Sequence, residues 1–218
     1  LEIVETAKRV GFPLLVKAAF GGGGKGMRLV NGPEESVEAV KRASSEAVTA
    51  FGDGTVFVEP YVERARHVEV QILGDVHGNV IHLGDRECSV QRRHQKLLEE
   101  APSPALDAGA REKLGRLAVA AVRGIGYNNV GTLEFLMDSA GKCYFMEMNT
   151  RIQVEHTVTE MLTGIDLVKS QILIAENYAL TDDEIGIPDQ DSIKINGVSI
   201  QCRVTTEDPA ADFIPDYG

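Results

Sequence analysis

The stretch Val130-Gly-Thr-Leu-Glu-Phe-Leu-Met-Asp-Ser-Ala-Gly-Lys-Cys-Tyr-Phe-Met-Glu-Met-Asn149 decides the fold class. Residues 130–137 and 143–148 read as strands, and Ser-Ala-Gly-Lys between them is turn material, so the pattern predicts an antiparallel hairpin. With a four-residue loop over 139–142, Asp138 faces Cys143, and the same register sets Glu134 opposite Glu147. Like charges directly opposed in a sheet repel. A hard cation between them reverses the sign, and Asn149, two residues further on the same face, adds an oxygen. Oxygen donors without His or Cys favour magnesium or manganese shared with phosphate. The competing reading is two solvated acids on an open sheet face, which a register error of one residue would make correct. Arg151, Gln153 and Glu155 then alternate with Ile152, Val154 and His156. On a shared strand face this arginine and glutamate are either a salt bridge or, beside a metal, an anion holder and a base.

Upstream, Val68, Val70 and Ile72 alternate with His67, Glu69 and Gln71, which predicts a strand with one buried face and one polar face open to water or a ligand. Residues 75–79 read as a turn into a strand over 80–83. Arg86, Gln91, Arg92, Arg93, His94, Gln95 and Lys96 follow, a cationic cluster in an acidic chain. His94 and His156 each have a plain reading as a hydrogen-bonded, partly buried imidazole, and for His156 that reading is preferred. Leu114, Leu117, Ala118, Ala121, Val122 and Ile125 keep helical spacing, so Asp107 starts an amphipathic helix that Gly126 ends. Closer to the N-terminus come a helix over 3–10, a strand over 14–16 with Lys17 near its end, and a glycine loop. A strand over 27–30, a helix over 34–50 and a strand over 56–59 complete that part. This order of helices and hairpins predicts an α+β fold with largely antiparallel sheets, in two lobes that meet near residues 59–62.

Gly21, Gly23 and Gly26 satisfy GxGxxG, yet a strand follows where a dinucleotide site needs a helix. Walker A fails as well, because Gly26 and not Ser or Thr follows Lys25. Successive glycines still expose amide groups to an anion. With Lys17 beside them, this is a phosphate-covering lid or a hairpin tip of no consequence.

Thirty-three Asp and Glu against 22 Lys and Arg give a formal charge of −11 over 218 residues, 43% of them hydrophobic. Such a chain can bury a core, and its acidity argues against coating nucleic acid or an anionic membrane. No apolar run approaches the roughly 20 residues that cross a bilayer, and no secretory signal opens the chain. Cys88, Cys143 and Cys202 form neither a disulfide framework nor a thiolate metal pattern, which suits a reducing compartment. A chain from Leu1 to Gly218 with no terminal cap is expected to be a segment of a longer protein.

Five motifs in order carry a family resemblance. They are Lys17-Ala-Ala-Phe-Gly-Gly-Gly-Gly-Lys-Gly-Met27, Arg66-His-Val-Glu-Val-Gln71, Cys88-Ser-Val-Gln-Arg-Arg-His-Gln-Lys96, Thr132-Leu-Glu-Phe-Leu136 and Glu147-Met-Asn-Thr-Arg-Ile-Gln-Val-Glu-His156. Together they resemble the biotin carboxylase family of ATP-grasp enzymes nearly end to end. Gln201-Cys-Arg-Val-Thr-Thr-Glu-Asp208 looks most like the biotin carboxylase domain of pyruvate carboxylases. The resemblance implies an ATP-grasp fold, with a lid subdomain over 1–61 and a larger antiparallel-sheet subdomain over 62–218. It implies ATP-dependent carboxylation of biotin by bicarbonate through carboxyphosphate. The cofactors would be ATP, Mg2+ or Mn2+, and biotin carried on a partner domain. A carboxyltransferase domain and a homo-oligomer are expected, without nucleic acid or membrane, in the cytoplasm or, for a eukaryote, the mitochondrial matrix.

By the same resemblance Lys17 and the amides of Gly23 and Gly24 hold ATP phosphates. Adenine lies at Glu59, Pro60, Tyr61 and Val62 through backbone groups, with His67, Gln91 and His94 towards ribose and phosphates. Glu134 and Glu147 bind magnesium and Asn149 completes a second ion. Lys96, Arg151, Gln153 and the amide of Val154 bind bicarbonate, Glu155 takes its proton, and Arg203 stabilises charge on the biotin ureido oxygen. Arg86, Arg92, Arg93, Lys96 and Arg151 are expected to gather on one anion-rich spot. The departures are mild: Lys25 for a common arginine, Pro60 for a frequent lysine, Gly84 for an aromatic residue, and Asp85 and Glu87 with acid lengths exchanged. Family members also carry an N-terminal domain and a further ATP-contacting lysine ahead of this segment. The alternatives are an acyl-CoA carboxylase subunit, a non-catalytic nucleotide-binding module, and an ATP-grasp ligase that activates another carboxylate.

Overall fold

A computed structural model describes residues 2–21, 26–92 and 94–216. The chain divides into two compact units, Leu1–Glu63 with Arg93–Gln95, and Arg64–Arg92 with Lys96–Gly218. The first unit holds α1 (Glu2–Val10), β1 (Leu14–Ala18), β2 (Met27–Val30), α2 (Ser36–Phe51) and β3 (Val56–Pro60). Its antiparallel sheet has the order β2-β1-β3. Ala39, Ala43 and Ala47 recur at helical spacing on the buried side of α2, and the small side chains of Ala39 and Ala43 let the helix lie close to Leu14, Val16 and Val30. The helix begins later than its sequence suggests because Pro33–Glu35 forms a 3-10 turn first, and Gly52 ends it with φ +78°. Residues 22–25 of the glycine loop lie outside the described residues.

The second unit continues with β4 (Arg66–Gly74), β5 (Val80–Arg92), β6 (Gln95–Ala101), α3 (Ala108–Gly124), β7 (Asn129–Met137) and β8 (Cys143–Asn149). After them come α4 (His156–Thr163), α5 (Leu167–Ala175), β9 (Ser199–Cys202) and a short pair, β10 (Glu207–Asp208) with β11 (Ile214–Pro215). The main sheet has the order β8-β7-β4-β5-β6-β9. Val68, Val70 and Ile72 of β4 pack with Leu133 and Phe135 of β7 against Leu114, Ala118 and Val122 of α3. On the opposite face Leu73, Ile81, Leu83 and Val130 meet Leu167 and Ile174 of α5 with Leu180 and Ile187. That opposite face also carries His67, Glu69 and Gln71, so it changes from polar to apolar along its length.

The structure corrects several expectations. The polar face of β4 is not open: Glu69 and Gln71 are fully buried. The strand expected over 80–83 runs on to Arg92 and contains a register shift, since Ile72 pairs with His82 but Val70 with Asp85. Gly84, at φ +88°, lies in the extra residue pair and supplies the backbone conformation that the bulge requires. The β7–β8 hairpin pairs Met137, not Asp138, with Cys143, and a second register shift then restores Glu134 opposite Glu147. No strand forms over 151–156. That stretch is a loop that leads into α4, with Glu155 at the N-cap position.

Asp107 caps α3 as its sequence suggests, its side chain accepting from the Ala110 amide at 2.8 Å. Only part of the expected stripe is buried, because Gly115 and not Leu117 lies on the inner side with Leu114, Ala118 and Val122. The His82 ring fills the space over Gly115, where an added Cβ would stand 2.5 Å from it. Gly115→Ala is therefore expected to destabilise the protein in chemical denaturation, although alanine is worth about 1 kcal/mol over glycine inside a helix. Overpacking costs about 1–3 kcal/mol. A stabilised variant would mean that the ring swings clear.

Candidate active site

The bulge at Gly84 decides what faces Glu69. Continued without the bulge, the Ile72–His82 register would set Asp85 against Glu69, acid on acid, whereas the shifted register brings Arg86 there. The Arg86 side chain is fully buried and every N–H of its guanidinium is used. Nε donates to Glu69 Oε1 at 2.5 Å. Nη1 donates to Gln71 Oε1 at 2.6 Å and Thr159 Oγ1 at 3.0 Å, and Nη2 to Thr132 Oγ1 at 3.2 Å and Gln153 Oε1 at 3.1 Å. Lys96 reaches in from β6 and donates to Glu69 Oε2 at 2.5 Å, Glu155 Oε1 at 2.7 Å and Glu134 Oε1 at 2.8 Å. Glu134 Oε1 also accepts from Asn149 Nδ2 and Gln153 Nε2, both at 2.8 Å.

His67 Nε2 stands 2.9 Å from Glu134 Oε2, an ion-pair distance, and Gln91 Nε2 is 3.0 Å from its Nδ1. Burial alone would hold the imidazole below its ordinary pKa, but Glu134 and Glu69 push it up to about 9. Burial likewise opposes the charge on Glu134, yet His67 and Lys96 bring it down to about 2. Against its burial, Glu69 is held below the carboxylate range by Arg86, and Lys96 above the lysine range by Glu69 and Glu134. Three carboxylates, Glu69, Glu134 and Glu155, are thus balanced by Arg86, Lys96 and His67. Burial and the neighbouring Glu69 raise the Cys88 thiol far above its ordinary range, which makes it unreactive.

Ligand atoms of His67, Glu69 and Glu134 lie within 4.8 Å of one another, as do those of Glu69, Cys88 and Glu155. Arg86 and Lys96 already supply positive charge to both groups, so neither offers a metal an unneutralised cradle. Glu147 differs. It is exposed, faces Glu134 across the ladder, and its carboxylate has no hydrogen bond or ion pair among the described residues. A divalent cation there would neutralise Glu147, the member of the pair without a counter-charge, and the oxygen donors of Glu134, Glu147 and Asn149 suit magnesium. Asn149 Oδ1 accepts from Arg151 Nη2 at 3.3 Å.

Among the described residues, the expected gathering of cations holds for Arg86 and Lys96. Arg92 turns to Glu207 and the Phe213 carbonyl, its guanidinium over the Phe213 ring. Arg93 lies outside the described residues, as do Gly23 and Gly24. Arg151 is exposed and bonds the Ile152 carbonyl and Asn149, and forms no ion pair with Glu155. Arg86 has no donor left for an anion. Glu155, 3% exposed, instead has Arg203 Nη2 at 3.6 Å from Oε2, and the same nitrogen is 4.0 Å from Glu99 Oε1. His156 is the hydrogen-bonded, half-buried imidazole that the sequence suggests, its Nδ1 2.7 Å from the Gln153 carbonyl. Val154 is exposed. In the first unit Lys17 Nζ pairs with Glu59 Oε1 at 3.1 Å beside the Phe57 ring, and Tyr61 N–H donates to the Pro13 carbonyl. Pro60 and Tyr61 are exposed, Val62 is half-buried, and His94 stands at φ +66° in the β5–β6 turn.

Residues that the sequence reading left without a role here are Glu69, Gln71, Thr132, Thr159 and Glu99. The alternation His67-x-Glu69-x-Gln71 signals a polar face, but nothing local shows that it is buried.

The family of the carbamoyl-phosphate synthase L chain, ATP binding domain, matches residues 2–183. Pyruvate carboxylase 1 of Caenorhabditis elegans is 57% identical over 217 residues, 100% of this chain and 18% of the relative. The biotin carboxylase of Nostoc is 54% identical over 217 residues, 100% of this chain and 47% of the relative. The chain thus spans a fifth to a half of the curated relatives it matches. Among solved structures, the biotin carboxylase domain of Hydrogenobacter thermophilus 2-oxoglutarate carboxylase, a dimer with MgADP, ADP and bicarbonate, is 51% identical. It matches 98% of this chain and 46% of its own, with a TM-score of 0.91. A Campylobacter jejuni biotin carboxylase in complex with β-γ-ATP gives the same TM-score of 0.91 at 51% identity, over 97% of this chain and 46% of its own. With the ordered motifs, the antiparallel sheets and these matches in agreement, the chain belongs to the carbamoyl-phosphate synthase L chain ATP binding domain family, in the biotin carboxylase branch of the ATP-grasp superfamily.

Proposed function

We propose that this chain is the ATP-grasp part of a biotin carboxylase within a pyruvate carboxylase, with residues 1–61 as the lid subdomain and 62–218 as the large subdomain. ATP phosphorylates bicarbonate and leaves as ADP, the carboxyphosphate breaks down to carbon dioxide and phosphate, and the biotin ureido nitrogen gives its proton to that phosphate as it takes up the carbon dioxide. The observation that carries this reading is Lys96, whose one ammonium joins Glu134, on the metal-binding side, to Glu155, on the bicarbonate side. Phosphoryl transfer depends mostly on position and charge neutralisation, and a cation that spans both ends supports both.

In this reading Lys17, with Gly23 and Gly24, holds phosphate, residues 59–62 hold adenine, and His67, Gln91 and His94 serve ribose and phosphate. Glu134, Glu147 and Asn149 would hold magnesium, which when bound shields phosphate charge. Lys96, Arg151, Gln153 and Val154 orient bicarbonate, Glu155 accepts its proton, and Arg203 faces the ureido oxygen. A biotinylated carrier domain, a carboxyltransferase domain and a second copy of the chain are its partners, in the cytoplasm or the mitochondrial matrix. No helix among the described residues is long and apolar enough to cross a membrane. The 54% identity to the Nostoc biotin carboxylase favours one other reading, a subunit that serves a different acceptor.

Calorimetric titration of the folded chain with Mg-ATP tests the nucleotide assignment. Glu147→Gln is expected to weaken binding at least tenfold, as chelation would, because the amide cannot neutralise the cation. Affinity equal to wild type in that variant would remove Glu147 from the metal site.

A further inference from the structure

Arg86 has no donor left over, so whatever it does for the site it does through its partners. One of these, on the loop before α4, is Gln153, 6% exposed, whose amide is held at both ends: Oε1 accepts from Arg86 Nη2 and Nε2 donates to Glu134 Oε1. The reversed amide would point its oxygen at the Glu134 carboxylate and its N–H groups at a guanidinium, two repulsive contacts in a buried place. The same guanidinium takes Glu69 Oε1 and leaves Oε2 for Lys96. We propose that Arg86 is a positioning residue: it fixes Gln153 as a donor to Glu134, and fixes Glu69 so that Lys96 is held between Glu134 and Glu155. The idea rests on the function proposed above for the value of that arrangement, though not for the arrangement itself. Lysine cannot substitute, since three donors cannot meet Glu69, Gln71, Thr132, Gln153 and Thr159 in one plane.

The first readout needs no activity. In nitrogen-15 spectra of the 218-residue chain, the Gln153 side-chain amide protons are expected to be well separated and slow to exchange. In Arg86→Lys, with folding checked by circular dichroism, they should move together and exchange at least tenfold faster. An unchanged Gln153 amide in folded Arg86→Lys overturns the proposal. The second readout is Mg-ATP affinity, where loss of an orienting partner costs about 10–100-fold. Arg86→Lys and Gln153→Ala should each weaken binding, and the double variant should be no weaker than the worse single within about threefold, again on the scale of that partner effect. Effects that multiply would mean that Arg86 acts on the fold at large, and would also overturn the proposal.

If Arg86→Lys does not fold, Gln153→Glu tests the same bond from its other end. Its carboxylate keeps Arg86 but opposes Glu134, so the Arg86 Nη resonances should shift and Mg-ATP affinity fall at least tenfold. Unmoved Arg86 resonances overturn the proposal. A wild-type chain that ignores Mg-ATP would count against the functional reading, while the Gln153 amide would still decide the role of Arg86.

Discussion

Lys96→Met is expected to lower the unfolding free energy by about 3–5 kcal/mol, the cost of removing one partner from a buried ion network. Glu69 and Glu155 are almost wholly buried and Glu134 nearly so, and all three accept from the one ammonium. Methionine keeps the length and the apolar stem, so the loss reports charge and not volume. Arg86 still serves Glu69, but among the described residues Glu155 retains Arg203, at 3.6 Å, as its sole charge partner. The penalty should shrink in acid. Glu134 titrates near 2 when folded against 4.5 ordinarily, so the stability it contributes is complete above about pH 5 and is lost as the pH falls through 2. Without Lys96 the Glu134 carboxylate escapes repulsion by taking up a proton, and the two denaturation curves should approach each other as the pH falls from about 5 to about 2. A Lys96→Met protein as stable as wild type at pH 7 would show that the three acids do not depend on this cation.

Glu155→Gln is expected to reduce bicarbonate-dependent ATP cleavage and biotin carboxylation by about 10²–10⁴-fold, the contribution of a positioned general base. Mg-ATP binding should change little. Glutamine is nearly isosteric and its Oε1 can still accept from Lys96, so the cation stays in place while the site loses its proton acceptor. Glu155 also sits at the N-cap of α4 without a capping hydrogen bond from its side chain, so the helix does not depend on the carboxylate. Paired turnover and calorimetric measurements separate the outcomes. Normal carboxylation by Glu155→Gln would disprove the base assignment, whereas loss of nucleotide binding would show that the residue supports the pocket as a whole.

Much of the fold was legible because it is written in local periodicity. Periodicity and turn residues located β4, β7, β8 and the start of β5, but not β6 or β9, which the sequence reading does not assign as strands; the Asp107 cap located α3, and glycines and prolines marked the breaks. The Glu134–Glu147 pairing was also legible, although for an incomplete reason. The turn is one residue off the expected register, and an irregularity in β8 next to Phe145 restores the pairing. Less legible was the run from Arg151 to His156, where period-two alternation imitates a strand. Burial of Gln153 and Glu155 under different partners makes it a loop that ends in a helix cap.

The sequence by itself determined the class of fold, the order of its elements up to the β7–β8 hairpin apart from β6, the family and most of the side chains with chemistry to offer. It did so because local propensity, periodicity and ordered motifs depend on neighbours along the chain. Tertiary structure alone decided which charges meet. The bulge at Gly84 sets Arg86 and not Asp85 against Glu69, and Lys96 finds Glu134 and Glu155 from residues 38 and 59 positions away. Arg92, four residues before that lysine, leaves for Glu207. A one-residue slip exchanges the faces of a strand, and buried charges must be neutralised by whatever the sheet brings opposite, so these partners follow from register and burial, which no local stretch contains.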